Sequence, residues 1–222
     1  MCHNGVVYVR KVDQQTLTLQ VSGKLWMRSL VMSDVETGSE WAHLLGRAMA
    51  GPLKGKKLTP LVTDMMTWQS WKQKHPQTTA MQLSRTSKNF NRSFYNRDPE
   101  RFVAGFSLRD HDFAIAMTDL QQVKVHQFEA AGVPLLATYT SGATGIQLFE
   151  PNLKRRQLTF KAVDNGQMKD AETNSIWSRL SGECLSGELK GNRLRPRVVI
   201  MSFKTAWNNF HPESTQIRIN RT

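Results

Sequence analysis

Three groups of residues in this chain have types and spacings that chemistry could use. Cys2-His3 joins a thiol to an imidazole. With a second thiol nearby, such a pair holds a transition metal, cycles as a dithiol or attaches haem; with one thiol it is an ordinary terminal Cys and His. Asp34, Glu36 and His75 return later as Asp170, Glu172 and His211, so a carboxylate and an imidazole from each half of the chain are available for general acid–base work. The plainer reading is that Asp-x-Glu-Thr is turn and cap chemistry and that His before Pro closes a helix. Ala50-Gly51-Pro52-Leu53-Lys54-Gly55-Lys56-Lys57 has the look of a phosphate-binding loop, but its glycines are too close together and Lys57 stands where Ser or Thr must meet Mg²⁺, which excludes that role.

What positions these residues is an internal repeat. Asp34-Val35-Glu36-Thr37-Gly38-Ser39-Glu40-Trp41 reappears as Asp170-Ala171-Glu172-Thr173-Asn174-Ser175-Ile176-Trp177, and the register holds at an offset of 136 to His75-Pro76 and His211-Pro212. Residues 34–79 and 170–215 share 19 identities in 46 positions, including Gly51/Gly187, Gly55/Gly191, Met65/Met201 and Trp71/Trp207, which chance does not produce. Upstream, Leu17-Thr18-Leu19 pairs with Leu158-Thr159-Phe160 at an offset of 141, so five residues between Ser22 and Ser33 have no counterpart and one hairpin is shorter in the second copy.

Within a copy the pattern opens strand-like, at Val6–Val9, Thr16–Val21 and, after a Gly23 turn, Leu25–Met32. Ser39 is then placed to cap a short helix carrying Trp41, Leu44 and Leu45 and ended by Gly46. Pro52 and Gly55 mark a hairpin turn between 47–51 and 57–62, and Thr67 caps a second helix, Trp68 to Lys74, ended by His75-Pro76. Trp41, Trp68 and Trp71 are read as core. Ahead of the second copy stand elements the first lacks: a hairpin of Phe102–Leu108 and Phe113–Met117, a short helix from Thr118, and a strand at Val133–Tyr139. The first copy would then have an open sheet edge, to be closed by a longer chain, a strand-supplying partner or a homo-oligomer.

Composition narrows the rest. The 30 Lys+Arg against 18 Asp+Glu give a net charge of +12, which suits polyanions, although the basic groups at 54–57, 154–156 and 193–197 fall in turns where they are solvated. No stretch approaches the ~18 apolar residues of a membrane-spanning helix, so a soluble chain is expected, in the envelope or periplasm if an export signal lies upstream. The two cysteines, Cys2 and Cys184, occupy unlike places in the two copies, so a disulfide framework is not indicated; Cys184 aligns with Ala48 as a small packing residue.

The repeated segments, with Gly46 to Gly55, Thr67-Trp68-Gln69-Ser70-Trp71 and His75-Pro76, resemble the prokaryotic family catalogued as domain of unknown function 3179, over nearly the whole chain. The resemblance implies a Cys-x-x-Cys pair before the first-copy strand, with Cys2 matching its second cysteine and the first falling before Met1; on that reading the chain is a truncated member, related to proteins many of which are exported. It implies no activity.

The expectation is a β-dominated α+β protein, a tandem duplication of a β-meander or barrel-like module with two short helices per copy: 1–84 as a first repeat without its opening strands, 85–101 as a polar connection, 102–216 as a complete second repeat and 217–222 as a tail. Its expected role is non-catalytic binding or accessory. The alternatives are a metal or redox protein with a transition metal at Cys2 and His3, and a binder of nucleic acid or another polyanion. Asp34, Glu36, Trp41, Gly51, Gly55, Trp71 and His75, with Asp170, Glu172, Trp177, Gly187, Gly191, Trp207 and His211, are read as fold-determining.

Overall fold

The computed structural model of the chain describes residues 5–80, 98–141 and 145–219. In the first copy, β1 (Tyr8–Val9) leads into a small hairpin, β2 (Lys11–Val12) and β3 (Gln15–Thr16), and then into a four-stranded antiparallel meander, β4 (Leu19–Trp26), β5 (Ser29–Asp34), β6 (Glu40–Ala42) and β7 (Arg47–Ala50). The chain returns as β8 (Thr59–Pro60), which pairs with β1 so that Tyr8 faces Pro60. Val12, Leu17, Trp41, Ala48 and Leu58 form the core of this copy.

The second copy begins with four strands that have no counterpart among the described residues of the first. These are β9 (Phe102–Leu108) and β10 (His111–Ala116), joined by a two-residue turn at Arg109-Asp110, and β11 (Val125–Ala130) and β12 (Val133–Tyr139); the helix Met117–Val123 lies between the pairs. The common unit follows: β13 (Ile146–Glu150), the hairpin β14 (Asn152–Leu153) and β15 (Arg156–Gln157), and the meander β16 (Phe160–Val163), β17 (Gln167–Asp170), β18 (Ile176–Ser178) and β19 (Cys184–Ser186). It closes with β20 (Arg195–Arg197), β21 (Ile200–Phe203), the helix Lys204–Phe210 and β22 (Thr215–Ile217).

The repeat seen in the residues is a repeat in space. Phe149 faces Pro196 between β13 and β20 as Tyr8 faces Pro60, and the core Leu158, Met168, Trp177, Cys184 and Leu194 occupies the positions of the first-copy core. Cys184 is as buried as its partner Ala48, and burial pushes its thiol pKa up, the opposite of what a reactive cysteine needs. The strands peculiar to the second copy build two further sheets, β21-β9-β10-β22 and β11-β12-β13-β20, enclosing Phe102, Phe106, Ile115, Leu135, Tyr139, Ile146 and Met201.

Several expectations are corrected. No helix forms at Trp41: residues 40–42 and 176–178 are strands, because the alternation of the pair is satisfied by cross-strand partners on both sides and Ser39 spends its hydroxyl elsewhere. Each copy therefore shares one common helix, at 68–74 and 204–210, and the second adds Met117–Val123. Gly23 is not the first hairpin's turn. β4 runs through it with a register shift between Val21 and Leu25, and the chain reverses at Met27-Arg28, whose left-handed backbone suits a tight two-residue turn. The 57–62 segment meets 47–51 only at the bridge Arg47–Lys57 before going to β1. The strand Val125–Ala130 was not anticipated, since its Val, His, Gln, Phe, Glu and Ala show no clean alternation. Of the proposed 85–101 connection, residues 85–97 lie outside the described residues and Pro99–Arg101 is a single 3₁₀ turn.

The helices show what the extra strands do. Thr67 caps the first through a hydrogen bond accepted from the Ser70 amide at 3.2 Å, as expected, whereas the second starts at Phe203 with no side-chain cap. Trp207 is fully buried over β9 and β10, so close to Gly105 that a Cβ there would stand 2.3 Å from the indole. Trp71, at the same place in the first copy, is half-buried, and Trp68 is 52% exposed rather than in the core. Trp207→Ala should cost about 3–5 kcal/mol, in the range for emptying a buried aromatic site, and Trp71→Ala less than half of that. Chemical denaturation of the two variants checks the ordering, and equal losses would contradict it.

Candidate functional site

The most tightly built constellation in each copy is centred on an aspartate. Asp34 is fully buried, and its carboxylate accepts hydrogen bonds from the Trp41 indole N–H at 2.8 Å and from the Thr37 amide and hydroxyl at 2.6 and 2.7 Å. Because the Thr37 hydroxyl gives its proton to Asp34, the Ser39 hydroxyl, 2.6 Å away, must donate to Thr37, and it accepts in turn from the Leu53 amide at 3.0 Å. A one-way relay thus runs from the 51–55 turn to the carboxylate. Asp170 repeats it with Trp177 at 2.9 Å, Thr173 at 2.6 and 2.8 Å, Ser175 and the Leu189 amide.

Gly51 and Gly187 are what allow the turn to reach the serine. Each has a left-handed backbone, and a Cβ on either would lie 2.7 Å from the serine Cα, so no other residue fits without moving the relay. Gly55 and Gly191 sit at the far end of the same turns and donate their amides to Ala48 and Cys184. Glu36 and Glu172 stay exposed and accept from the amides of Thr18 and Thr159, both at 2.8 Å, tying the loop to the preceding strand. Both oxygens of each aspartate and one of each glutamate thus accept from the protein's own donors. They do not meet the histidines, and no acid–base pair forms between them.

The histidines behave differently in the two copies. Each closes its helix through the backbone, the amides of His75 and His211 donating to Trp71 and Trp207 at 2.8 Å, and each ring lies against that tryptophan, with centroids 4.1 and 3.9 Å apart. His75 stays exposed. His211 is nine-tenths buried, and its Nδ1 lies 2.7 Å from Asp112 Oδ2, while the Ser107 hydroxyl donates to Asp112 Oδ1. The carboxylate that meets this imidazole therefore comes from β10, one of the strands outside the repeat, and a motif search based on the repeat could not have found it.

Ser107, Asp112 and His211 line a cleft of about 520 Å³ between the copies. Its other wall is Leu45, Arg47 and Lys57 of the first copy, and Arg109, Asp110 and Phe210 complete the second-copy side. The aspartate bridges serine and histidine, so the serine is not hydrogen-bonded to the imidazole and is not activated as a nucleophile by it. The copies are held beside the cleft by Ala42 and Leu44 against Ala206 and Phe210, with Trp26 edge-on to Phe210 at 5.0 Å. Cys2 and His3 lie outside the described residues, and among the described residues no group of three His, Cys, Asp or Glu side chains is placed to hold a metal. No helix among them is long and apolar enough to cross a membrane.

Two successive stretches, residues 1–102 and 95–214, match the family described as Protein of unknown function (DUF3179). The chain belongs to that family and carries its module twice. No curated protein and no solved structure matches it.

Burial pushes the Asp34 and Asp170 carboxyls up, but hydrogen bonds from Trp41 or Trp177 and from the threonine and serine of each relay outweigh it and hold both below the ordinary aspartate range. A carboxylate depressed in the folded state stabilises the fold above its unfolded pKa of about 3.9 and loses that contribution as pH falls through its folded value. Asp34→Asn and Asp170→Asn should each lower stability near neutral pH by about 2–3 kcal/mol, the worth of charge-assisted hydrogen bonds and a stranded donor. Each should also flatten the loss of stability between about pH 5 and pH 2. Thermal unfolding against pH checks this; a variant with wild-type acid sensitivity would show that the relay does not hold the charge.

Proposed function

We propose that this is a non-catalytic binding protein and that its binding face is the uncovered side of the first copy, which receives an extended, apolar strand from a partner polypeptide. The observation that carries the reading is the position-by-position contrast between the copies. In the second copy β13 is flanked by β20 on one side and β12 on the other, with Leu136 opposite Phe149, and Leu148 is 2% exposed. In the first copy β1 has β8 on one side, and among the described residues no strand pairs with its other edge. Val7, the counterpart of Leu148, is 48% exposed, and Val9, Leu61 and Val62 are exposed beside it.

An open edge flanked by apolar side chains offers unpaired backbone donors and acceptors together with pockets for alternate side chains, the two ingredients of strand addition. The second copy defines the chemistry of what fits: an antiparallel strand of small and branched apolar residues like Val-Pro-Leu-Leu-Ala-Thr-Tyr at Val133–Tyr139. The engagement of both oxygens of Asp34 and Asp170 by the protein's own donors supports a role in which these repeated acids do no catalysis.

A synthetic hairpin peptide with the sequence of residues 125–139 should bind the full chain and slow amide hydrogen exchange at residues 5–9, and Val7→Lys should abolish both effects. Binding that survives Val7→Lys, or exchange at 5–9 that does not change, would sink the proposal. A concentration-dependent dimer that Val7→Lys dissociates would instead put a second copy of this chain on that edge.

A further inference from the structure

The cleft between the copies carries an unresolved charge. Arg47 and Lys57 face each other across an isolated antiparallel bridge, and neither has an acidic partner within ion-pair distance among the described residues. Like charges directly opposed on neighbouring strands destabilise the pair. The second copy shows the same bridge in neutral form, as Glu183 opposite Arg193. The first copy thus keeps two cations where its own duplicate places residues of opposite charge, and these two cations line the cleft.

The opposite wall holds a second unsatisfied group. The Nε2 atom of His211 is buried without a hydrogen-bond partner, while its Nδ1 is fixed on Asp112. Asp112 has both oxygens engaged, by Ser107 and by His211. Arg109 reaches away to the Ala131 carbonyl at 2.8 Å. Asp110, exposed in the β9–β10 turn, is the one acid of the cleft with no hydrogen-bond or ion-pair partner among the described residues.

We propose that the inter-repeat cleft binds a small oxyanion of the sulfate or phosphate type, held by Arg47 and Lys57 from one copy over the imidazole of His211 from the other. An oxyanion relieves the repulsion between the two cations and gives Nε2 an acceptor. The neutral ring, with its proton on Nδ1 towards Asp112, presents a lone pair at Nε2; the protonated ring presents an N–H. Binding through Nε2 therefore uses the ring with an N–H on both nitrogens, one serving Asp112 and the other the anion. Arg109, Asp110 and Asp112 are the other charged groups facing the cleft. Asp112 is engaged with His211 and Ser107, and Asp110 opposes the anion.

The test is sodium sulfate titrated into the full chain, followed by calorimetry and by the histidine side-chain NMR signals, with sodium chloride at matched ionic strength as reference. Sulfate should bind and move the His211 ring signals, and His211→Phe should weaken that binding several-fold. Arg47→Glu recreates the acid-opposite-base arrangement the second copy folds with at this bridge, so it should leave the fold intact while weakening sulfate by about tenfold or more. Asp110→Asn should tighten binding several-fold. The proposal is overturned if chloride reproduces the effect, if Arg47→Glu binds like wild type, or if Asp110→Asn lowers thermal stability without improving sulfate binding, which would make Asp110 the counter-ion of the two cations.

Discussion

A buried carboxylate that must remain charged is the constraint around which each copy is organised. An aspartate without partners inside a protein would cost several kcal/mol and would take up a proton. Here it is surrounded by the indole N–H of a core tryptophan and the amide and hydroxyl of a threonine three residues on. Satisfying it fixes the threonine rotor, which fixes the serine hydroxyl, which receives the amide of a turn fourteen residues away. One ionised group therefore sets the entry to β6 or β18, the rotamer of the central tryptophan and the path of the following turn. That dependence explains why Asp, Thr, Ser, Trp and Gly recur together while the strand residues between them drift: the relay tolerates no change of donor or acceptor, and the sheet faces need only apolar bulk of about the right volume.

On this common frame the two copies are put to unequal use. The second spends its β13 edge and its Trp207 face on packing against β9 to β12, and the result is a closed core. The first has the same edge and the same helix without those strands among the described residues, and so leaves Val7, Leu61, Val62 and Trp68 exposed. The bridge at 47 and 57 shows a parallel divergence: residues of opposite charge face each other in one copy and two like charges in the other, beside the cleft between the copies. The two copies thus differ in how much of the same frame is covered among the described residues.

Much of this was legible in the residues. The repeat, its register, the shortened hairpin and the positions of the common helix follow from identities at a constant offset, because turn glycines, helix caps and core tryptophans are local requirements that leave local marks. The error at Ser39 has the same origin. Serine before an apolar run and glycine after it is good cap chemistry, but the hydroxyl serves an amide fourteen residues on, and the 40–42 segment has strand partners on both sides, neither of which is visible in a window of ten residues.

By itself the sequence determined that one structural unit occurs twice and which side chains each unit cannot exchange, since these are constraints within a copy and duplication writes them out a second time. Only the tertiary structure decided which residues far apart in the chain meet, within a copy and between copies. Asp112 and His211 are 99 positions apart, and Arg47 and Lys57 reach the same cleft through packing of Ala42 and Leu44 on Ala206 and Phe210. No repeat, spacing or composition encodes that docking, because it is fixed by the complementary shape of two surfaces rather than by any local pattern along the chain.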